Sequence, residues 1–254
     1  MPPIVPSYRH APEEGPLAGL GRNTDAVPFV LKSMPNDTIA TPKPRTSAAW
    51  VGLFISLFGM LLIRQVFRLI SLTPGASLAI AREILMFASA AVLLLVVTGW
   101  EKLPLTSIGL GTSVCWKSVL WGLVTAVLCA GAAVVLIKMT GYGHGPASDA
   151  LDRLPLWLVT LVCFRAGIVE ELFYRGYPIE RLQSFGLGRL ASALIPLFIF
   201  AVGHYTGGAA NVVIALVLGG ILTGFYLWRR DLVSNMIAHT LVDFVGNVLP
   251  RLLS

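Results

Sequence analysis

Charged residues are scarce in this chain, and their scarcity sets its class. Only 13% of the residues are Asp, Glu, Lys or Arg, while 56% are hydrophobic. Soluble domains carry about 25% charged residues, so a water-soluble globular fold is excluded and a polytopic membrane protein is predicted. The net charge of +6 comes without a basic cluster interleaved with aromatic residues, so nucleic acid is not an expected partner.

Cysteine is also rare, and no apolar segment stands near the beginning of the chain. Cys115, Cys129 and Cys163 have spacings that match no zinc or redox motif, so we expect them to behave as small hydrophobic side chains. Because there is no early apolar run, a cleavable signal peptide is not expected. Residues 1–47 contain nine prolines, which break regular structure, and are interpreted as a flexible Pro-rich tail.

Long apolar stretches follow the tail and define the fold class. There are seven: Ala48–Ile63, Ile84–Trp100, Ser118–Ile137, Leu154–Val169, Leu190–Gly203, Ala209–Trp228 and Leu232–Leu249. A spanning helix needs about 17–25 residues, and the shorter stretches reach that length only with flanking polar residues. The prediction is an all-α membrane bundle with about seven to eight transmembrane helices, covering residues 48–254 with its motifs in 154–249. Gly220 and Gly224 form a Gly-x-x-x-Gly pattern, which favours close helix packing.

The distribution of Lys and Arg between the stretches predicts an orientation. With the N-terminus inside, the inner segments hold 12 Lys and Arg residues and the outer segments hold six. Cytoplasmic loops carry an excess of these residues. The N-terminus and the loop after Glu171, taken as the active-site loop, are therefore predicted to be cytoplasmic.

A carboxylate pair, Glu170 and Glu171, ends one of these apolar stretches. An ionisable group at membrane depth costs roughly 2.5–3.5 kcal/mol on insertion scales and usually marks a functional site. Helix positions four apart share a face, so Glu171 is predicted to pair with Arg175. Glu170 is then the freer carboxylate, suited to act as a general base. Arg165 is either a counter-charge for the glutamates or an interfacial residue.

Two histidines lie inside later apolar stretches. His204 ends the fifth stretch, and His239 lies in the seventh with Asp243 one turn later, where its carboxylate is predicted to hold the imidazole ring. Ionisable groups on three separate apolar helices predict a hydrolytic site. Either Glu170 and His204 activate a water while His239 and its neighbour stabilise the oxyanion, or the histidines and a glutamate bind a divalent metal.

A non-catalytic scaffold or a transporter-like protein is the alternative from another class. In a protease, the four polar residues should converge on one water-accessible cavity. In a scaffold, Glu170 should pair directly with Arg165 or Arg175 and leave no void.

Three motifs in order on separate apolar helices resemble the CPBP family, the CAAX proteases and bacteriocin-processing enzymes also called the Abi family. The motifs are Glu170-Glu171-x-x-x-Arg175, Phe200-x-x-x-His204 and His239-x-x-x-Asp243. The resemblance implies a glutamic intramembrane endopeptidase that needs no cofactor or metal. It also implies a hydrophobic or lipidated peptide as substrate, taken from the lipid bilayer.

The resemblance also implies roles for the motif residues. Glu170 and His204 match the residues that activate water, and His239 and Asp243 match the oxyanion site. The second glutamate and the arginine of the first motif match supporting positions. The prenyl-protein branch usually has Asn at the position of Asp243, whereas bacterial-type members, whose substrates are diverse, commonly have Asp.

Overall fold

The computed structural model describes residues 44–70, 75–111, 115–141 and 151–253. Within these ranges every regular element is helical, which confirms the all-α class. The helices are α1 (Thr46–Ile70), α2 (Ala76–Leu95), α3 (Trp116–Thr140), α4 (Leu156–Arg165), α5 (Tyr177–Ser184), α6 (Arg189–Val202), α7 (Ala209–Arg229), α8 (Leu232–Asn247) and α9 (Leu249–Leu253). Apart from its last four positions, the predicted tail lies outside the described residues.

Four of the described helices are long and apolar enough to cross a membrane. They are α1, α2 with its extension to Trp100, α3 and α7, with 21 to 25 residues and mean hydropathy of 2.0 to 2.4. The helix α6 is apolar but has 14 residues, and α8 has 16. With the composition, these helices define an integral membrane protein. The first apolar stretch, predicted to be short, continues as a 25-residue helix through Arg64 and Arg68.

The longest fully buried run of described residues begins in the link after α4 and continues into α5. Every residue from Val169 to Leu182 is buried. A segment buried on all sides is normally apolar all round, yet this one carries Glu170, Glu171, Arg175, Glu180 and Arg181. Buried charges require partners, so this segment determines where the polar groups of the neighbouring helices must lie.

The helix α1 shows which loops share an end of the bundle. Trp50, near its start, stacks on Phe185 with ring centroids 4.9 Å apart. Arg68, near its end, donates a hydrogen bond of 2.9 Å to the hydroxyl of Tyr205. The 18 residues between them span about 27 Å at 1.5 Å per residue. The loop after α5 therefore lies beside the start of α1, and the loop between α6 and α7 lies near its end.

Candidate active site

Two π-helical turns, Ala166–Glu170 and Leu172–Gly176, join α4 to α5 around Glu171. A π-turn is closed by i to i+5 hydrogen bonds, is rare, and is frequent at functional sites. It brings residues five apart onto one face. Arg165 and Glu170, five apart, are ion-paired at 2.5 Å between Nη1 and Oε1. The local winding thus supplies Glu170 with a counter-charge that α-helical spacing does not give.

Glu170 is consequently more heavily paired than the sequence indicated. A second arginine, Arg64 of α1, donates from Nη2 to the same Oε1 atom at 3.0 Å. Arg165 is itself held by Glu83 of α2, whose Oε2 lies 2.8 Å from its Nε. Glu170 is therefore ion-paired, through a π-turn and through α1, but both arginines bind Oε1, whereas both oxygens of Glu171 accept hydrogen bonds, so Glu170 remains the freer of the two carboxylates. Of the alternatives for Arg165, the counter-charge is correct.

Glu171 is a fully buried junction between two helices. Its predicted pair with Arg175 is present, at 2.8 Å between Oε1 and Nη1. The same oxygen accepts from Nδ1 of His239 at 2.7 Å, and Oε2 accepts from Nδ2 of Asn235 at 3.1 Å. Sequence reasoning missed Asn235, although it lies four residues before His239 and therefore on the same face of α8.

The start of α8 at Leu232 sets which face of the helix carries Asn235 and His239, and that face meets Glu171. Asp231 caps the helix, its side chain accepting from the backbone N–H of Ser234 at 3.2 Å, as expected for a favourable N-cap residue. The ring of His239 is oriented by Glu171, and Asp243 stands 3.9 Å from its Nε2. That distance is too long for a hydrogen bond. The prediction that Asp243 holds the ring is wrong, because Nδ1 has a nearer carboxylate on another helix.

His204 lies just after α6, where the chain turns toward α7. Its Nδ1 is 2.8 Å from the carbonyl oxygen of Phe200. A carbonyl only accepts, so Nδ1 carries the proton and Nε2 keeps a lone pair in the neutral ring. The Phe200 ring lies beside both imidazoles, with centroids 4.6 Å from His204 and 6.2 Å from His239. Asn211 of α7 donates to the His204 carbonyl at 3.2 Å, which anchors this turn.

A cavity of about 120 Å³ lies between α6, α7 and α8. His204, His239 and Asp243 line it, together with Asn211 and mainly apolar side chains. Three of the four predicted catalytic residues therefore meet at one cavity. Glu170 is not part of its lining, but Arg64, which binds it, also reaches the Gly203 carbonyl at 3.5 Å, beside His204. The direct Glu170–Arg165 pair expected of a scaffold and the void expected of a protease are both present.

The loop after α5, residues 185–188, contributes nothing to this constellation. It was predicted to be the active-site loop because it follows the glutamates in sequence. The site is instead completed by the turn after α6, which lies near the other end of α1. The hydrophilic loop nearest to a motif in sequence is not the nearest one in space when the motif sits in the middle of a long buried segment.

Arg175 shows how closely α7 approaches the site. Its Nη2 donates to the Gly219 carbonyl at 3.2 Å, and its guanidinium carbon lies 4.3 Å from the Phe200 ring centroid. A Cβ at Gly219 would stand 2.9 Å from Nη2 and 3.0 Å from a Phe200 ring atom. Among the described residues the Gly-x-x-x-Gly pattern makes no close contact: none of them lies within 4 Å of a Cβ at Gly224, and one atom of Leu197 is at 4.0 Å from a Cβ at Gly220.

We expect Gly219→Ala to lower the stability of the protein. Overpacking a tight core costs about 1–3 kcal/mol, and here the added methyl group presses on the buried guanidinium. Gly220→Ala is the matched control, because it adds the same group in open space and removes a glycine from a helix interior. Thermal unfolding in detergent should therefore show a lower Tm for Gly219→Ala only. Equal Tm values for the two variants would contradict the close approach of α7 to Arg175.

In the described part of the chain, no group of three or more His, Cys, Asp and Glu side chains has the arrangement of a metal site. Nδ1 of each site histidine is already bonded to a protein acceptor. Both rings thus present Nε2 as the nitrogen left for chemistry. The arrangement has a base nitrogen, a second histidine between two carboxylates, and a void large enough for water.

An all-α membrane bundle in which two histidines and Asp243 line a cavity, with buried glutamates beside it, is the arrangement expected of an intramembrane hydrolase. Residues 152–245 match the family described as type II CAAX prenyl endopeptidase, Rce1-like. That segment includes every residue of the three motifs. The match covers 94 of the 254 residues, and over this segment the chain is similar to the CAAX endopeptidases. No curated protein and no solved structure matches it.

Proposed function

We propose that this protein is a glutamic intramembrane endopeptidase that cleaves hydrophobic or lipidated peptides at the bilayer. The observation that carries the proposal is the cavity at which His204, His239 and Asp243 meet. A partly open cavity that has room for water and is lined by two histidines is what peptide hydrolysis inside a membrane protein requires. The alternatives are a metal-dependent mechanism on the same residues and a protein that does not cleave.

In the proposed mechanism, Glu170 and His204 together activate the attacking water. Nε2 of His204 accepts a proton, while the carboxylate of Glu170 orients the water and stabilises the imidazolium that forms. Oε1 of Glu170 is occupied by two arginines, so Oε2, which accepts no hydrogen bond from a described residue, is the oxygen that meets the water.

His239 is the proposed donor to the oxyanion. Its Nδ1 is fixed by Glu171 at 2.7 Å, and the Asp243 carboxylate stands 3.9 Å from Nε2. Two carboxylates near one imidazole favour the imidazolium. An imidazolium donates from Nε2, and a charge-assisted bond to a developing oxyanion is stronger than a neutral one. Asp243 then acts by stabilising the charged ring.

The cavity limits which part of a substrate enters. The cavity of about 120 Å³ has room for the attacking water and for part of a peptide beside it. We place the lipid chain of a substrate along the apolar helix surfaces. The family description names prenylated substrates, and we extend this to the chain as a lipid-modified peptide, while Asp243 also fits members with other peptides.

Cleavage by the purified protein in lipid vesicles tests the proposal. Matched peptides with and without a thioether lipid are incubated with the enzyme, and products are identified by mass spectrometry. We expect cleavage that favours the lipidated peptide and persists after prolonged chelation. Loss of cleavage on chelation, restored by zinc, would favour the metal mechanism. Comparing membrane-peptide fragments between the wild type and a Glu170→Gln strain extends the search when no test peptide is cut.

We also propose that the start of α1 and the loop after α5 face the cytoplasm, with Lys and Arg setting the orientation. Gly188→Cys provides an exposed probe, since nothing lies within 4 Å of its added Cβ and its φ of −60° suits any residue. Met139→Cys is the control, because Met139 is 78% exposed near the C-terminal end of α3, which this orientation places outside. In a cysteine-free background, we expect an impermeant thiol reagent added outside to label only the control. The reverse pattern would invert the orientation.

A further inference from the structure

Arg64 lies outside the segment that matches the family, on α1, yet it contacts the central carboxylate of the site. Its Nη2 is 3.0 Å from Oε1 of Glu170, and its side chain is 34% exposed. The other arginine on that oxygen, Arg165, is 5% exposed and is locked by Glu83. Arg64 is therefore the accessible member of the pair, and its helix is supplied by a part of the chain to which the family match assigns nothing.

The contact between Arg64 and Glu170 affects how the carboxylate group is oriented. Both arginines donate to Oε1, so neither occupies Oε2. A single arginine holds a carboxylate oxygen but leaves the group free to turn about its Cγ–Cδ bond. A second donor arriving from another helix restricts that rotation, because Arg165 approaches along the α4 segment and Arg64 approaches from α1.

Arg64 also connects Glu170 to His204. Its Nη1 reaches the Gly203 carbonyl at 3.5 Å, and Gly203 directly precedes His204. One guanidinium thus touches the carboxylate and the turn that carries the histidine. Since a misplacement of about 1 Å can cost 10²-fold in rate, a group that fixes both partners at once affects the reaction without touching the substrate.

We propose that Arg64 is a positioning residue that sets the orientation of Glu170 and its spacing from His204. This rests on the proposed function, in which Glu170 and His204 act on one water. Substrate binding in the cavity between α6, α7 and α8 does not involve Arg64. Its loss should lower kcat and leave KM nearly unchanged.

The test compares Arg64→Met with Arg64→Lys and Arg68→Met, using kcat, KM and Tm of each purified variant. The methionine keeps the aliphatic bulk and removes the charge, so we expect kcat to fall about 10- to 100-fold with KM within about twofold. Lysine restores one charged donor and should recover most of kcat. Arg68, one turn along the same helix, bonds to Tyr205 beside His204 but not to Glu170, so Arg68→Met should lower kcat much less than Arg64→Met.

An unchanged kcat in Arg64→Met, a loss shared equally by Arg68→Met, or no recovery with lysine would overturn the proposal. Should the methionine variant fail to fold, Arg64→Gln, which removes the charge and is shorter than the arginine that bridges Glu170 and Gly203, is judged by the same criteria. Glu170→Gln assayed in parallel distinguishes failure of the positioning role of Arg64 from failure of the proposed function. If that variant is inactive while Arg64→Met is fully active, the positioning role fails alone, whereas an active Glu170→Gln overturns the proposed function itself.

Discussion

Glu170→Gln is expected to lower kcat by about 10²–10⁴-fold, the contribution that general acid–base catalysis typically makes. Glutamine has the shape of glutamate but carries no charge, so it holds the second hydrogen of the water more weakly and does not stabilise the imidazolium of His204. KM should change little, because Glu170 is not part of the cavity lining. The measurement is single-turnover cleavage of a lipidated peptide by the purified variant.

Glu170→Gln also removes the ion pairs with Arg64 and Arg165, so a control variant is needed. Breaking a buried pair by removing one partner is destabilising by about 3–5 kcal/mol, since it leaves an uncompensated charge. Glu83→Gln disturbs the same buried Arg165, which lies 2.8 Å from Glu83, without altering Glu170. We expect Glu83→Gln to lower Tm while keeping much of the activity. If it abolished cleavage as fully as Glu170→Gln, the carboxylate would matter for structure and not for chemistry.

The class of the protein could be predicted from composition alone, because scarcity of charge over long apolar stretches leaves few soluble solutions. The Glu171–Arg175 pair could also be predicted, since both residues lie on one segment four positions apart. That pair is present at 2.8 Å even though a π-turn separates the two positions. Local spacing thus predicted a contact between two residues of one segment.

The partners of Glu170 could not be predicted in the same way. Arg165 meets it through a π-turn, and no periodic pattern in the sequence marks where an α-helix will widen. Arg64 and Glu83 come from helices far away in the sequence, and their approach is a property of tertiary packing. The same limit applies to His239, whose local neighbour Asp243 was the obvious partner, but whose ring is held by Glu171 from another helix.

Close packing of α7 shows this limit at a smaller scale. The Gly-x-x-x-Gly pattern drew attention to Gly220 and Gly224, yet the helix face that meets Arg175 begins one residue earlier, at Gly219. A glycine pattern indicates that close approach is possible and does not state which face is approached. The guanidinium of Arg175 and the side chains of Leu197 and Phe200, and not a second helix backbone, leave no room for a side chain at Gly219.

The second large effect is expected at His239. Replacing it with alanine removes the proposed oxyanion donor, and the loss of one such donor costs about 10²–10³ in kcat. Asp243→Ala should cost less, because the ring stays anchored on Glu171 at 2.7 Å. Asp243→Asn should keep substantial activity, since the amide is nearly isosteric and also offers a donor.

Double mutants distinguish these roles. Asp243 acts through the charge of the His239 ring, so Asp243→Ala should add little in a His239→Ala background, as groups that act as a unit are not additive. Asn235 donates to Glu171 at 3.1 Å and to the Leu222 carbonyl at 2.9 Å, and we expect it to affect the chemistry through Glu171 and the ring that Glu171 holds. Asn235→Ala should therefore lower kcat in the wild type and have no further effect once His239 is absent. Losses that multiply, or an Asp243→Ala defect as large as that of His239→Ala, would show that Asp243 contacts the reacting atoms independently.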